Sequence, residues 1–389
     1  MDRLKPIIIG TETLYLVKNQ SNNTIIIGAS AAGLACAACL QKRGVDYIIL
    51  EKQPNVAHSW RNHYDRLHLH TSKSFSNLPF VPFDQSLPKY PARADVVQYL
   101  ETYAEKLNIQ PVFNTEVQSV KRDNGTWTIQ TNTETYQAQN VIIATGATHT
   151  PKVANYPGMD TFSGEIIHSS QYKNGARFNG KRVLVVGFGN SGGEQAIDLH
   201  EYGAWPALSV RSAVNVLPRD IMGVSILQLG LLMNNFPPQI GDTLNAPLIN
   251  LLVGDINKLG LKKAKDGPMT QIRNTGRIPL LDIGTIRLIR EGHIQVFDGI
   301  ERIDGSSVWF KNGQSAEFDA IILATGYEHK LERILDLDAE TTADLHKPIG
   351  KRTTLGKNGL YFCGFYISPT GMLREMGIEA KRIAELIAG

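Results

Sequence analysis

Two segments of this chain repeat one arrangement, in which a β-branched strand runs into a glycine-rich turn, a helix follows and a second strand comes next. The first reads NTIIIGASAAGLACAACLQKRGVDYIILEK, with strands expected over Thr24–Ile27 and Tyr47–Leu50. The second reads GKRVLVVGFGNSGGEQAIDLHEYGAWPALSVRSA, with strands expected over Val183–Val186 and Leu208–Val210. Apolar strands that alternate with helices indicate parallel sheets covered on both faces. We therefore predict an α/β protein with two dinucleotide-binding, Rossmann-like domains.

Both glycine turns carry the residue types that a bound pyrophosphate requires. Glycines 28 and 189 stand where the backbone bends or approaches the pyrophosphate, and glycines 33 and 192 where the helix packs closely on its strand. Unpaired amides at each helix N-terminus favour an anion by about 0.3 to 1 kcal/mol. The first loop departs from the pattern only by a small serine at its middle position. The predicted loop residues are Gly28, Ser30, Ala31 and Gly33 in the first turn, and Gly187, Gly189, Asn190, Ser191 and Gly192 in the second.

The residues that follow the second strand of each unit distinguish the two ligands. Glu51, followed by Lys52, can accept hydrogen bonds from a ribose hydroxyl pair, whereas Arg211 can pair with a 2′-phosphate. This difference predicts FAD at the first site and NADPH at the second. A solvated surface arginine is the alternative for Arg211, and it leaves NADH open as a cofactor.

Two further apolar runs end in the same Ala-Thr-Gly triplet, one before the second unit and one after it. They are VIIATGA, Val141–Ala147, and IILATGY, Ile321–Tyr327, and they resemble the paired crossings between the domains of two-dinucleotide flavoproteins. We predict an FAD-binding domain over residues 1–160 and 325–389, with the NADPH-binding domain, residues 161–324, inserted into it. The role of residues 1–23 stays open. Predicted cofactor contacts from the crossings and from the strand in NGLYFCGF are Gly146, Ala324, Thr325, Gly326 and Gly364.

Composition narrows the class of partner. A formal net charge of +3 over 389 residues argues against nucleic acid. Three cysteines are too few for a disulfide framework, and no secretory signal pattern opens the chain, so we expect a cytoplasmic protein. The apolar region Ile221–Leu261 is broken by Asn, Pro and Asp before it reaches the roughly 20 residues of a membrane span. We predict two buried or interfacial helices there, in a helical insertion around residues 221–263, in preference to peripheral membrane contact.

The segment FSGEIIHSSQY matches a family signature at every fixed position: Phe162, Gly164, His168 and Tyr172. With both glycine loops and LATGY around it, the chain resembles the flavin-containing monooxygenase family. Stretches such as LPKYPARADVVQYLETYA and GDINKLGLKKAKDGP make it most similar to the YUCCA-type branch. The resemblance implies that this segment lies beside both cofactors and helps to hold NADP, with Tyr172 among the cofactor-binding residues.

Membership of that family implies a reaction. NADPH reduces the flavin, oxygen adds to its C4a carbon, and the resulting (hydro)peroxyflavin passes one oxygen atom to a small soft nucleophile. The expected partners are therefore molecular oxygen and a small molecule, either an amine, a sulfide or indole. The alternative from the YUCCA-type branch is oxidative decarboxylation of indole-3-pyruvate or a related 2-oxo acid. The Ile221–Leu261 region is expected to line the substrate pocket.

One departure from the family concerns the oxygen-reacting face of the flavin. Many members place an asparagine there, but the matching region RLHLHTSKSFSNLP offers hydroxyl groups, and the YUCCA-type branch also lacks that asparagine. We predict that Thr71 or Ser72 donates the corresponding hydrogen bond. The resemblance also places Trp60, Arg61 and His68 against FAD. No metal site is expected, since the histidines of this region lack a completing carboxylate or cysteine in the sequence.

Two alternatives come from other functional classes. Cys36-Ala-Ala-Cys39 is compatible with a disulfide reductase, although its place in the helix after the first loop favours packing over redox chemistry. A non-catalytic flavoprotein sensor would also bind both cofactors, but it leaves FSGEIIHSSQY without an explanation. A homodimer is possible on either interpretation.

Overall fold

The structure is a computed structural model that describes residues 22–146, 150–228, 237–335, 358–365, 368 and 370–389. Numbered along the described chain, the strands are β1 Asn22–Ile27, β2 Tyr47–Leu50, β3 Val117–Asp123, β4 Thr126–Thr131, β5 Thr135–Ile143, β6 Thr150–Pro151, β7 Glu165–His168, β8 Arg182–Val186, β9 Trp205–Ser209, β10 Val216–Pro218, β11 Asp220–Ile221, β12 Val224–Ser225, β13 Leu280–Asp282, β14 Gln295–Phe297, β15 Ile300–Asp304, β16 Ser307–Phe310, β17 Ser315–Glu317, β18 Ala320–Leu323, β19 Tyr327–Glu328 and β20 Leu360–Phe362. The α-helices are α1 Ala31–Gln41, α2 His58–Asn62, α3 Arg93–Lys106, α4 Asn190–Glu201, α5 Pro238–Val253, α6 Pro268–Thr275, α7 Thr285–Arg290 and α8 Met372–Ala388.

The first sheet combines strands from both ends of the described chain. Its order is β2-β1-β5-β4-β3, and β20 pairs with β5 on the same sheet. Strands β2, β1, β5 and β20 are parallel, whereas β3 and β4 return as antiparallel strands. Helix α1 is buried along almost its whole length between this sheet and helices α3 and α8. A helix that is apolar all round is suited to such a central position.

The second sheet is entirely parallel, in the order β14-β9-β8-β18-β7. Helices α4 and α7 cover one face, and the three-stranded sheet β15-β16-β17 covers the other. Strand β8, whose valines at 183 and 185 are fully buried, has cores on both sides, as the continuous apolar run VLVV predicts. The predicted fold class, two dinucleotide-binding domains of α/β type with one inserted into the other, is confirmed.

The two crossings between the sheets run side by side. Strand β5 leaves the first sheet towards β6, strand β18 leaves the second towards β19, and β6 and β19 pair antiparallel. The predicted triplet segments therefore lie where the chain passes from one domain to the other. Ala147, the last residue of the first predicted segment, lies outside the described residues.

The prediction of two buried or interfacial helices over Ile221–Leu261 was wrong in two respects. The region begins with the β11–β12 hairpin, because Met222 and Gly223 take positive φ angles of 50° and 78° and close a tight turn. Helix α5 then presents much of its apolar surface to solvent, with Leu244 65% and Leu251 80% exposed. Residues 229–236 lie outside the described residues. Within the described residues, no helix is both long enough and apolar enough to cross a bilayer.

Candidate active site

The first glycine turn is closed by backbone contacts that leave no space for a side chain. Gly28 has a φ of +108°, and a Cβ placed on it would lie 2.8 Å from the carbonyl oxygen of Ala144, at the end of β5. A Cβ on Gly33 would lie 1.9 Å from the carbonyl oxygen of Gly28. Ser30 is the N-cap of α1 and Ala31 its first residue, so the turn delivers free amides at a helix N-terminus. This arrangement fits a dinucleotide pyrophosphate.

Glu51 is held against this turn by two backbone amides. Its Oε2 accepts a hydrogen bond from Ala29 N at 2.7 Å, and its Oε1 accepts one from Gln53 N at 2.9 Å. The carboxylate is therefore fixed beside the loop, where the predicted ribose hydroxyls would lie. Lys52, the next residue, is exposed.

The second turn repeats these contacts at a different pair of strands. Gly187 has a φ of +122°, and a Cβ on it would lie 2.4 Å from the carbonyl oxygen of Ala324, at the end of β18. A Cβ on Gly192 would lie 2.4 Å from the carbonyl oxygen of Gly187, whereas one on Gly189 would meet nothing within 4 Å. Gly189 is the N-cap of α4, and Asn190 and Ser191 begin that helix. The open space at Gly189 is what a close approach of pyrophosphate to the backbone requires.

Arg211 follows β9 by two residues and is exposed. Its Cβ lies 2.8 Å from the position that a Cβ on Gly299 would take, so a glycine makes room for it. The guanidinium is thus carried at the carboxyl edge of the second sheet, on the strand next to the loop. The side chain of Asn190 also makes a structural contact, since its Oδ1 accepts a hydrogen bond from Leu281 N at 2.8 Å.

In each Ala-Thr-Gly triplet, the alanine supports one of the two glycine turns. Ala144 and Ala324 supply the carbonyl groups on which Gly28 and Gly187 pack. Gly146 and Gly326 then turn the chain with φ angles of 78° and 86°. Thr325 is used in the crossing, where its hydroxyl donates to the carbonyl group of Lys152.

Gly364 joins the C-terminal part of the first domain to its nucleotide loop. A Cβ on Gly364 would lie 3.1 Å from the Cβ of Ala32, inside the first turn of α1. Its amide donates to Glu379 Oε2 of α8 at 2.8 Å. The predicted glycine is therefore adjacent to the first loop, and the buried Glu379 that holds it was missed from the sequence.

The signature segment connects the second sheet to both the crossing and the loop helix. A Cβ on Gly164 would lie 2.3 Å from the carbonyl oxygen of Asp319, which explains the glycine. His168 Nδ1 accepts from Ser170 N at 3.1 Å, and its Nε2 lies 3.1 Å from the carbonyl oxygen of Gly326. Burial lowers the pKa of His168. A neutral ring protonated at Nε2 satisfies both contacts.

Tyr172 requires a correction, because it cannot contact a cofactor from its position. The side chain is fully buried, stacks on Phe178, and donates from its hydroxyl to Asp198 Oδ2 of α4 at 2.6 Å. Burial, followed by the bond to Asp198, raises the pKa of Tyr172. Tyr172 therefore supports the loop helix from behind instead of binding the nucleotide.

A cavity of about 290 Å³, mostly apolar, lies beside the start of α4, and its lining includes Asn190 of the second loop. Its walls come from the first domain, from the start of α4 and from the inserted region, where Asp242, Asn245 and Ile249 of α5 contribute. The Asp242 carboxylate already accepts hydrogen bonds from the backbone amides of Met269 and Thr270 at the start of α6. The inserted region thus does line the cavity, although α5 is exposed on its other side.

The two hydroxyl candidates differ in where they lie. Thr71 lines the cavity, and its Oγ1 shares a hydrogen bond of 2.7 Å with Ser76 Oγ. Ser72 lies outside the lining, and its hydroxyl contacts Ser74 at 3.1 Å and accepts from Gln228 Nε2 at 3.1 Å. Of the two predicted donors, the geometry favours Thr71.

Of the three residues predicted to contact FAD, two line the cavity and one does not. Trp60 and His68 line the cavity, the latter from an exposed position with its Nδ1 2.6 Å from the carbonyl oxygen of Arg66. Arg61 is tied into the first domain instead, by an ion pair with Glu101 and a bond from its Nε to the carbonyl oxygen of Val56. Its guanidinium holds α2 to α3.

The cysteines do not form a redox site. Cys36 and Cys39 are free and buried in α1, and Cys363 is buried beside the same helix. Burial, with the nearby Cys36, raises the pKa of Cys39 to about 12. A thiol of that kind is a poor nucleophile at neutral pH. Within the described residues, no group of three or more His, Cys, Asp or Glu side chains could hold a metal ion.

Comparison with known proteins identifies the family. The family model described as pyridine nucleotide-disulphide oxidoreductase matches residues 25–216. Probable indole-3-pyruvate monooxygenase YUCCA4 of Arabidopsis thaliana is 40% identical over 346 residues, covering 88% of this chain and 84% of that protein. Indole-3-pyruvate monooxygenase YUCCA6 of the same plant is 39% identical, covering 93% and 89%. The chain belongs to the YUCCA family of flavin monooxygenases.

A solved structure agrees on the fold. The flavin-containing monooxygenase from Stenotrophomonas maltophilia aligns with a TM-score of 0.72 at 21% identity, over 94% of this chain and 98% of that one. This flavin monooxygenase is therefore an oxidoreductase that uses FAD and NADPH, as its sequence predicts. The closed glycine turns and the fixed Glu51 fit the two nucleotides. The disulfide reductase and sensor alternatives are set aside.

One residue near this site, Glu194, was missed from the sequence. Glu194, four residues after Asn190 on α4, is 3% exposed and lies 2.8 Å from His70 of the other domain. The only available signal was a carboxylate directly after a nucleotide loop, on a helix whose other residues are mostly small or apolar. Its partner is distant in the chain and comes close only in the folded structure.

Proposed function

We propose that this enzyme converts a small aryl 2-oxo acid, such as indole-3-pyruvate, by oxidative decarboxylation. The identity of about 40% to indole-3-pyruvate monooxygenases over most of both chains carries this proposal. It reverses the preference that the sequence alone suggested, because the two relatives named above bear that activity in their names.

We assign the cofactors to the two loops on the geometry described above. FAD is held by the turn around Gly28 and Gly33 with Glu51, and NADPH by the turn around Gly187 and Gly192 with Arg211. Bound FAD, once reduced by NADPH, supplies the activation of oxygen, and the chain supplies orientation and a cavity that excludes water. The corresponding division of the chain is 1–160 with 325–389 for FAD and 161–324 for NADPH.

The cavity fits a planar aromatic substrate. Its lining is dominated by aliphatic side chains, including Leu217, Ile249, Ile272 and Leu281. Polar groups are few, which is how small-molecule sites fix orientation without losing apolar contact. Thr71 and Asn190 lie on opposite domains at this cavity, so both can contact a polar group of a substrate between them.

One observation favours the second candidate, oxygenation of an uncharged amine, sulfide or indole. Among the described residues that line the cavity, none is a lysine or an arginine. A carboxylate in this cavity must therefore rely on neutral donors or on the histidines at 68 and 70.

Product analysis separates the two candidates. The FAD-loaded enzyme is supplied with NADPH and oxygen, and either indole-3-pyruvate or indole. The proposal predicts indole-3-acetate and carbon dioxide in step with NADPH consumed, and little indigo from indole. Indigo or a sulfoxide at a higher kcat/KM than indole-3-acetate would overturn the 2-oxo acid assignment and support the second candidate. A homodimer and a cytoplasmic location stay predictions, to be checked by light scattering and by cell fractionation.

A further inference from the structure

The segment Tyr64–Thr71 packs into the cores of both domains. Tyr64 is buried in the core of the second domain, where Leu67 also packs, whereas Leu69 is buried in the core of the first. Residues 67 to 71 all line the cavity. A shift of one core relative to the other must therefore move this wall of the cavity, because packed cores transmit displacement.

Glu194 meets this segment from the helix of the second loop. Its Oε1 lies 2.8 Å from His70 Nε2, and the two side chains are 3% and 20% exposed. Neither carboxylate oxygen makes a well-aligned hydrogen bond in the part of the chain described. A buried carboxylate is costly unless a positive or hydrogen-bonding partner compensates for it. His70 and the Tyr64 hydroxyl are the groups placed to do so.

Tyr64 is a second neighbour of the same carboxylate, with side-chain hydrogen bonds to Glu194 and Ser191. Burial raises the pKa of Tyr64, the Glu194 charge raises it further, and Ser191 of the loop helix is also its neighbour. Tyr64 therefore remains neutral. Both ends of the segment thus meet α4 within its first turn and a half, directly after the nucleotide loop.

We propose that Glu194 is a positioning residue that couples the second nucleotide loop to the cavity. Through His70 it fixes the cavity wall Leu67–Thr71 relative to the start of α4. Nucleotide bound at the second loop then steadies the wall, and a substrate against the wall steadies the nucleotide, because coupling between sites is reciprocal. This inference rests on the assignment of NADPH to the second loop.

Amide hydrogen exchange tests the coupling without relying on turnover. Exchange is followed in the FAD-loaded wild type and in Glu194→Gln, each with and without NADP⁺. In the wild type, NADP⁺ should slow exchange in both 187–193 and 67–72, the latter by about fivefold or more. In Glu194→Gln, which keeps the shape but removes the charge, loop 187–193 should still respond while 67–72 responds by less than about twofold.

A matched control lies on the same helix. Glu201, also on α4, forms an exposed ion pair with Arg66 of the same segment. Glu201→Gln should keep the response of 67–72, since exposed ion pairs contribute little. His70→Gln should abolish it, and the double variant with Glu194→Gln should add nothing further, as expected for two partners in one contact.

The outcomes distinguish this inference from the cofactor assignment. Protection of residues 28–33 by NADP⁺, in place of 187–193, would contradict the assignment itself. Protection of 187–193 with no response at 67–72 in the wild type, or an unchanged response at 67–72 in Glu194→Gln, would overturn the coupling alone. A Glu201→Gln variant that loses the response as fully as Glu194→Gln would also overturn it, because any loosening of the interface would then suffice.

Discussion

The two nucleotide turns of this enzyme share one steric plan and differ in charge. In each turn, the first glycine, Gly28 or Gly187, packs on the carbonyl group of the alanine in an Ala-Thr-Gly triplet. The last glycine, Gly33 or Gly192, packs on the carbonyl group of that first glycine. The first turn is followed by an acid bonded to the loop and the second by an exposed arginine. Backbone packing thus builds two equivalent turns, and we propose that one side chain per turn decides which dinucleotide binds there.

The turns also differ at their middle position. Ser30 of the first turn lies 3.4 Å from Ser59, whereas the space beside Gly189 of the second is open. The second turn therefore exposes more backbone to its ligand. We expect the first site to hold its cofactor permanently and the second to exchange it in each cycle, as FAD and NADPH do in this reaction.

The largest expected effect comes from two separate variants, each of which places a side chain at a glycine that has no room for one. Gly33→Ala places a methyl group 1.9 Å from a backbone oxygen, so FAD retained after purification should fall by about tenfold or more. Gly192→Ala, with a contact of 2.4 Å, should keep the yellow flavin and weaken NADP⁺ binding by about tenfold or more. Flavin absorbance per mole of protein measures the retained FAD, and a titration with NADP⁺ measures NADP⁺ binding.

A built-in control keeps that comparison interpretable. Gly189→Ala meets no atom within 4 Å and needs no positive φ, so the apoprotein fold should be unaffected and only ligand approach should suffer. Loss of FAD from Gly192→Ala, or loss of NADP⁺ binding with full FAD in Gly33→Ala, would exchange the two assignments.

Removal of the Arg211 charge, which distinguishes the second site from the first, should have the next largest effect. Arg211→Ala should raise the KM for NADPH by about 10 to 100-fold, the range for a charged hydrogen bond, while the KM for NADH changes little. Arg211→Lys should recover part of the loss, because it keeps the charge but not the planar fork. Equal effects on NADPH and NADH would remove Arg211 from the phosphate site.

Acid should destabilise the protein through His63, which lies where the first domain meets Lys173 of the second. Burial lowers the pKa of His63 to about 4, and the nearby Lys173 and Arg93 add to this. An unfolded histidine titrates near pH 6.5, so between about pH 6.5 and pH 4 the unfolded chain binds a proton that the folded chain does not. The free energy of unfolding should therefore fall by about 2 to 3 kcal/mol over that window.

Denaturant unfolding at pH 7 and pH 4.5 measures this change. His63→Gln should flatten the profile, with a smaller part remaining from His168, whose pKa burial also lowers. A stability that rises as the pH falls from 6.5 would contradict the burial of a neutral His63.

The smallest effect should come from the signature tyrosine. Tyr172→Phe removes the bond to Asp198 and leaves a buried carboxylate with one partner fewer, so the free energy of unfolding should fall by about 1 to 2 kcal/mol. The Kd for NADP⁺ should change by less than about threefold, because the ring does not reach the ligand. A large change in Kd with unchanged stability would restore Tyr172 as a direct contact.

The parts of this fold that follow from short-range chemistry were predictable. Strand Tyr47–Leu50 has the predicted bounds, and the strand predicted from Val183 to Val186 begins one residue earlier. A short apolar run encodes both strands locally, and the second run stops at Gly187. The positions of Glu51 and Arg211 after their strands follow in the same way, since the carboxyl ends of adjacent parallel strands share one edge of a sheet, whereas their roles stay predictions.

The features that depend on distant partners were not predictable. The hairpin at Met222 replaced an expected helix because two residues adopt positive φ angles. Tyr172 was assigned to the cofactor because its hydroxyl partner, Asp198, could not be known from spacing. Glu194 was missed for the same reason, since only the packing of two domains brings His70 to it.

The central claim is that NADPH at the second loop reduces FAD at the first and that the enclosed site directs oxygen into a substrate. Anaerobic enzyme is reduced with one equivalent of NADPH and mixed with oxygenated buffer, while flavin absorbance and released hydrogen peroxide are followed. The account predicts slow return to the oxidised spectrum through a form that is neither reduced nor oxidised, with its decay accelerated by substrate and little peroxide released. Immediate reoxidation with one peroxide per NADPH, with or without substrate, would contradict it.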